Sequence, residues 1–175
     1  VNWSREQLTA LQRLLRLKQV LRRGWTRHPI PADQVESVAD HSYGLALLCL
    51  LLCPADLNRE RVLELALIHD LAEVETGDVI PADGVLPDLK RQQEKKALEE
   101  LLREVPGSEY HLETLREYQQ AATPEARWVK DVDKLEMYLQ SLNYEADFSV
   151  DLQEFRDSSQ RALVSLFSRE KNDRA

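Results

Sequence analysis

Apolar residues recur every three or four positions along most of this chain, and recognisable helix starts cut the pattern into helix-sized lengths. Ser4-Arg5-Glu6-Gln7 and Ser37-Val38-Ala39-Asp40 have the form of capping boxes, in which a hydroxyl and a polar side chain three residues on satisfy each other's backbone N–H groups. Asn58 can cap a further helix, and Thr123-Pro124-Glu125 sets a cap before a proline at the first helical position. Leu8, Leu11, Leu14, Leu15 and Leu21 predict a first helix over about 5–23, stopped by Gly24. An apolar helix follows Ser37 and ends before Pro54. The third is expected to run from Asn58 through Leu63, Leu67, His69, Asp70 and Glu73 to Gly77. After a loop over 77–87, helices are expected over about 88–104, 109–121, from Thr123 onward, and 151–168. With only five glycines and seven prolines in 175 residues, tight turns are scarce, and no stretch alternates as a strand should. The expected fold is all-α: a single-domain bundle of about six or seven helices spanning 1–175.

Composition removes several classes of function. No apolar run approaches the roughly 18 residues that a membrane span needs. The chain opens directly into an Arg-rich amphipathic segment that does not read as a secretory signal, so a cytoplasmic location is expected. Cys49 and Cys53 are four apart on one apolar stretch, which suits core packing better than a disulfide or a metal pair. A net charge of −8 and a pI near 5.1 argue against binding a nucleic-acid polymer. Seven bases stand against one acid in residues 1–28, however, so the first segment could anchor a phosphate.

Two of the four histidines, His41 and His69, fall within the most apolar helices. Asp70 and Glu73 follow His69 at spacings that can crowd one helical face, and such a cluster is costly to bury unless something cationic neutralises it. His41, with Asp40 beside it, comes from a second helix, and Asp131 and Asp133 from another. Two imidazoles with carboxylates suit Mn, Fe, Co, Ni or Zn better than Ca. Spacing alone also admits a hydrogen-bonded core network without metal, because adjacent helical residues diverge by roughly 100°.

Four blocks in order sharpen the choice: Glu36-Ser37-Val38-Ala39-Asp40-His41, Leu65 to Glu73 with His69-Asp70 inside it, Gly77-Asp78-Val79-Ile80-Pro81-Ala82-Asp83, and Val129 to Met137 around Asp133. Together they resemble the HD-domain metal-dependent phosphohydrolases, and within them the 5′-deoxynucleotidase branch, over about 22–144. The resemblance implies His41, His69, Asp70 and Asp133 as ligands of one divalent ion. It also implies an acid-base or water-orienting role for Glu73 and a catalytic, substrate-side role for Asp78. An Arg and a Trp before the first His contact phosphate and sugar in that group. Arg23 and Trp25 stand in that place here, with Arg22 and Arg27 competing for the Arg role and a hydrophobic plug the other reading of Trp25. Asp131 reads as a solvated helix residue, and His28 and His111 as surface residues.

The activity so implied is release of phosphate from small nucleotides, 5′-deoxynucleoside monophosphates first, by attack of a metal-bound water on phosphorus. Such a reaction needs the phosphoryl charge neutralised, an in-line water and a place for its proton. The resemblance further suggests a homodimer. Triphosphate or cyclic-nucleotide hydrolysis is the alternative chemistry, and a helical signalling module that keeps a metal for stability is the alternative class. An intact Glu73 and Asp78 argue against the last, since a structural ion needs neither.

Overall fold

Four of the helix starts read from the sequence form as side-chain caps in the computed structural model, which describes residues 2–172. Ser4 accepts from the Gln7 N–H at the head of α1 (Arg5–Leu14), and Ser37 from the Asp40 N–H at the head of α2 (Val38–Leu52), each with the reciprocal bond of a capping box. Asn58 caps α3 (Arg59–Ile68). α4 (Glu73–Thr76) is a single turn, α5 covers Pro87–Leu102, and α6 covers Ser108–Gln120. Thr123 caps α7 (Pro124–Phe148), with Pro124 in the first turn, and α8 covers Gln153–Asn172. The described residues contain no strand, only an isolated bridge between Leu21 and Ser37. None of their helices is long and apolar enough to cross a membrane.

Three apolar clusters hold these elements together, and the site lies where they meet. Leu45 and Cys49 of α2, Val62 and Leu65 of α3, and Trp128, Val129 and Val132 of α7 form the central one. Ile68 and Ala72 pack with Leu98, Leu101 and Leu115 of α5 and α6 on one side. Trp25, Met137, Tyr144 and Leu152 form the third, where α8 folds back along α7. Both cysteines are free, with Cys49 buried in the central cluster as packing predicts. Arg61 ties α3 to α6 through Glu117 and Thr114, which fixes the face of α3 that leads to His69.

Two elements differ from expectation, and both differences build the site. The first helix does not run to residue 23. It stops at Leu14, passes through a 3₁₀ turn (Leu15–Gln19), and becomes extended at Val20–Arg22. Leu8 and Leu15, counted toward its apolar face, are exposed, whereas Leu17 is buried. The extended stretch is held by two bonds to the next segment, Arg22 N–H to Glu36 O (3.0 Å) and Val38 N–H to Val20 O (2.7 Å). These tertiary bonds replace the helical ladder that periodicity alone favoured. The third helix likewise does not reach Gly77 unbroken. Its ladder lapses between Ile68 and Glu73, where Leu71 N–H bonds Ile68 O and Glu73 N–H bonds Asp70 O in tighter i→i+3 steps. Gly77 then ends α4 at φ 70°, a conformation that other residues resist.

Candidate metal centre and its cleft

α2, the turn after α3, and α7 each bring donors to one buried point. His41, in the first turn of α2, is wholly buried, and His69, at the end of α3, is nearly so. Their Nε2 atoms face each other at 3.2 Å. Asp70 Oδ2 lies 3.1 Å from His69 Nε2 and 3.8 Å from His41 Nε2, and Asp133 Oδ1 of α7 lies 3.3 Å from His41 Nε2. Donor atoms of His41, His69 and Asp70 all fall within 4.8 Å of one another. The adjacency of His69 and Asp70 is therefore no obstacle, because the tightened turn lets both side chains reach the same place.

The donor set fits a cation. His69 Nδ1 is engaged with Ala66 O at 2.8 Å, and His41 Nδ1 with Glu136 Oε2 at 2.6 Å. Each Nδ1 thus carries a proton, so both Nε2 atoms turn lone pairs toward each other, with two carboxylates alongside. That arrangement is repulsive without a positive charge at its centre, either a proton or a metal ion. The surrounding field has the same sign. Burial and the charge of Arg22 pull the His41 imidazolium down, but hydrogen bonds and charge from Asp133 and Glu136 outweigh them and raise it to about 10. Asp70 and Asp133 are held below the usual carboxylate range. Burial opposes this, but His69, His41 and Arg22 win at Asp70, and Lys134 and the two imidazoles win at Asp133. Nitrogen and carboxylate donors of intermediate hardness suit a divalent transition ion.

The centre opens into a cleft of about 1030 Å³, large enough for a nucleotide. Glu73 lines it, only 1% exposed, with Oε2 lacking any hydrogen-bond partner among the described residues and Oε1 3.6 Å from Lys90 Nζ. Burial first, then the charges of Asp70 and Asp78, push its carboxyl up to about 10, and Lys90 offsets this only in part. Asp78 accepts from the Arg23 backbone N–H at 2.6 Å.

The two neighbouring arginines point different ways. Arg22 Nη1 is 3.6 Å from Asp70 Oδ2 and 4.0 Å from Asp78 Oδ1, and its guanidinium makes no hydrogen bond among the described residues. Arg23 is half exposed and bound to Asp83 through both terminal nitrogens, at 2.8 and 2.9 Å, outside the cleft lining. Arg27 lines the cleft. Trp25 is 1% exposed, donates from Nε1 to Glu36 Oε1 at 2.6 Å, and lies against Phe155 with ring centres 4.1 Å apart, so its indole is packed into the cleft wall. Asp131 lines the cleft without joining the donor group and accepts from Ser165 Oγ. His28 pairs with Glu154 at the surface end of α8.

Sequence reading missed Glu136, Glu36 and Lys90. Glu136 follows Asp133 by one helical turn, a spacing that puts both on one face of α7. Lys90 comes from α5, and no local pattern marks its approach to Glu73.

The family model for the HD domain matches residues 14–169. The 5′-deoxynucleotidase hdd1 of Schizosaccharomyces pombe is 37% identical over 142 residues, covering 78% of this chain and 71% of that one. The 5′-deoxynucleotidase HDDC2 of Bos taurus is 36% identical over 160 residues, covering 89% and 77%. A solved structure, a conserved hypothetical protein from Pyrococcus furiosus, superposes with a TM-score of 0.76 at 32% identity, covering 94% of this chain and 99% of that one. His69-Asp70, facing His41 across a helical core that this match spans almost end to end, is the feature the family is named for, and the chain belongs to the HD-domain phosphohydrolases.

Proposed function

We propose that this chain, acting as one domain, removes the phosphate of 5′-deoxynucleoside monophosphates with one divalent transition ion, Mn, Fe, Co, Ni or Zn, held by His41, His69, Asp70 and Asp133. The observation that carries this reading is a donor set in need of a cation beside an arginine whose guanidinium is not hydrogen-bonded, both facing one nucleotide-sized cleft. The substrate class is that of the similar relatives. When bound, the ion supplies charge neutralisation at the phosphoryl oxygens and a water acidified toward neutrality.

The chain's own residues supply the rest. Arg22 presents planar N–H donors that match two phosphate oxygens, and Asp70 and Asp78 hold it in place from one side. Glu73, buried and without a hydrogen-bond partner at Oε2 among the described residues, has a carboxyl that burial, Asp70 and Asp78 push up to about 10, and a cation held beside Asp70 would bring it down to where it can take the proton that the attacking water loses. Asp78 fixes the backbone at Arg23, and with it the direction in which Arg22 emerges. Trp25 and Phe155 close the nucleoside end as a packed aromatic wall. The unpaired thiols of Cys49 and Cys53 fit a cytoplasmic setting.

Stripping the metal, restoring Mn, Co, Ni, Zn and Mg singly, and measuring phosphate release from ribo- and deoxynucleotides tests the reading. Silence for every combination overturns it. Between the arginines, Arg22→Ala is expected to lower kcat/KM on a monophosphate by about 10²-fold, the scale of a lost charged bidentate contact. Arg23→Ala is expected to change it by less than about threefold, since it loses a half-exposed pair with Asp83. The opposite ranking would return the phosphate role to Arg23.

A second copy of the chain is the partner we propose. Tyr43, Leu47, Leu50 and Leu51 form an exposed stripe at helical spacing along α2, and Leu139 and Leu142 of α7 are exposed as well. An apolar stripe of this kind is a liability in a monomer and suits a self-complementary interface. Sedimentation is expected to give a dimer for the wild type and a monomer for Leu51→Glu.

A further inference from the structure

His41 and His69 are turned toward the centre by different devices. His69 is oriented by the backbone, through Ala66 O. His41 sits one turn into α2, and the group that meets its Nδ1 is a carboxylate from another helix, Glu136 Oε2. Glu136 is 7% exposed, and the His41 ring is its sole hydrogen-bond partner among the described residues. The neighbouring Glu36 is already engaged by Trp25 Nε1 and approached by Arg22, which leaves Glu136 to serve His41. The chain also makes room for it. A Cβ placed at Gly44 would come within 2.9 Å of Glu136 Oε1, so this glycine within α2 is the notch into which the carboxylate fits.

We propose that Glu136 is a positioning residue: it holds the proton of His41 on Nδ1 and the ring at a fixed angle, so that Nε2 is the atom offered to the ion, and Gly44 is the small residue this requires. The role rests on the metal-centre reading above. Asp133 and Glu136 lie one turn apart on α7, so a ligand and the orienter of a second ligand ride on the same rigid element, and their spacing is independent of how α2 shifts. Carboxylates in this outer position commonly tune affinity by about 10- to 100-fold.

The test is calorimetric titration of Co(II) into metal-free protein, with thermal melting of the same metal-free samples. Glu136→Ala is expected to weaken Co(II) binding by about 10- to 100-fold and to alter the visible spectrum of the Co(II) form, as a reoriented ligand does. Glu136→Gln keeps an acceptor for Nδ1–H and is expected to recover most of the affinity. Gly44→Ala, which favours the helix but displaces the carboxylate, is expected to weaken binding without lowering the melting temperature of the metal-free chain. Wild-type affinity in all three variants overturns the role of Glu136. Equal losses in Glu136→Gln and Glu136→Ala overturn positioning in favour of simple charge. A wild-type chain that takes up no Co(II) overturns the metal centre itself, and this role with it.

Discussion

Asp70→Asn is expected to lose the ion and the activity together, with phosphate release falling by at least about 10³-fold. The structure gives the reason. Asp70 Oδ2 is the oxygen that approaches both imidazoles, at 3.1 and 3.8 Å, while also facing Arg22 at 3.6 Å. An amide of the same shape removes a full negative charge from between three cationic or cation-seeking groups, so the remaining donors no longer balance a divalent ion. Elemental analysis and a phosphate-release assay on the same preparation decide the matter. An Asn variant that keeps both metal and turnover takes Asp70 out of the ligand set.

Glu73→Gln is expected to separate what Asp70→Asn joins. The substitution keeps size and polarity but cannot accept a proton, so kcat is expected to fall by about 10² to 10⁴ with KM little changed and metal content intact. Folding does not depend on that carboxylate. Its side chain is 1% exposed, and its carboxyl, pushed up to about 10, is already neutral in the metal-free chain, so a neutral amide of the same size leaves the burial cost nearly as it was. The melting temperature of the metal-free chain is accordingly expected to hold. If the variant instead emptied the centre, Glu73 would be a ligand, and Asp78 would be the nearest carboxylate left to take the proton. Undiminished turnover would remove Glu73 from the chemistry altogether.

The helix starts were legible because caps are local chemistry. Ser4, Ser37, Asn58 and Thr123 each accept from a backbone N–H three residues on, so a short window of sequence contains the whole cause. The breaks at 15–22 and 69–72 were not, because their causes lie outside any such window. The first depends on Glu36 and Val38 meeting Arg22 and Val20. The same event separates the arginines. Arg22 ends the extended stretch and lines the cleft, while Arg23 opens the turn that follows and reaches out to Asp83, a division that a helical reading of the segment could not make. The resemblance supplied the donors His41, His69, Asp70 and Asp133, which the fold gathers at one point. Glu136 escaped notice because nothing within one turn of it shows that it meets His41, 95 residues away.

The bridge between Leu21 and Ser37 has a consequence for how such a site can change over time. Its two bonds close the base of the excursion over 23–35, so Arg22 and the head of α2, which carries His41, are stapled to each other directly. The excursion carries Trp25 and Arg27 of the cleft lining, with Ile30 and Val35 in the same apolar cluster as Trp25, yet it hangs from a fixed anchor. Substitutions within it can therefore reshape that part of the cleft while Arg22 and the His41 helix keep their mutual placement, so that on the proposed function selectivity drifts without the hydrolytic machinery having to be rebuilt.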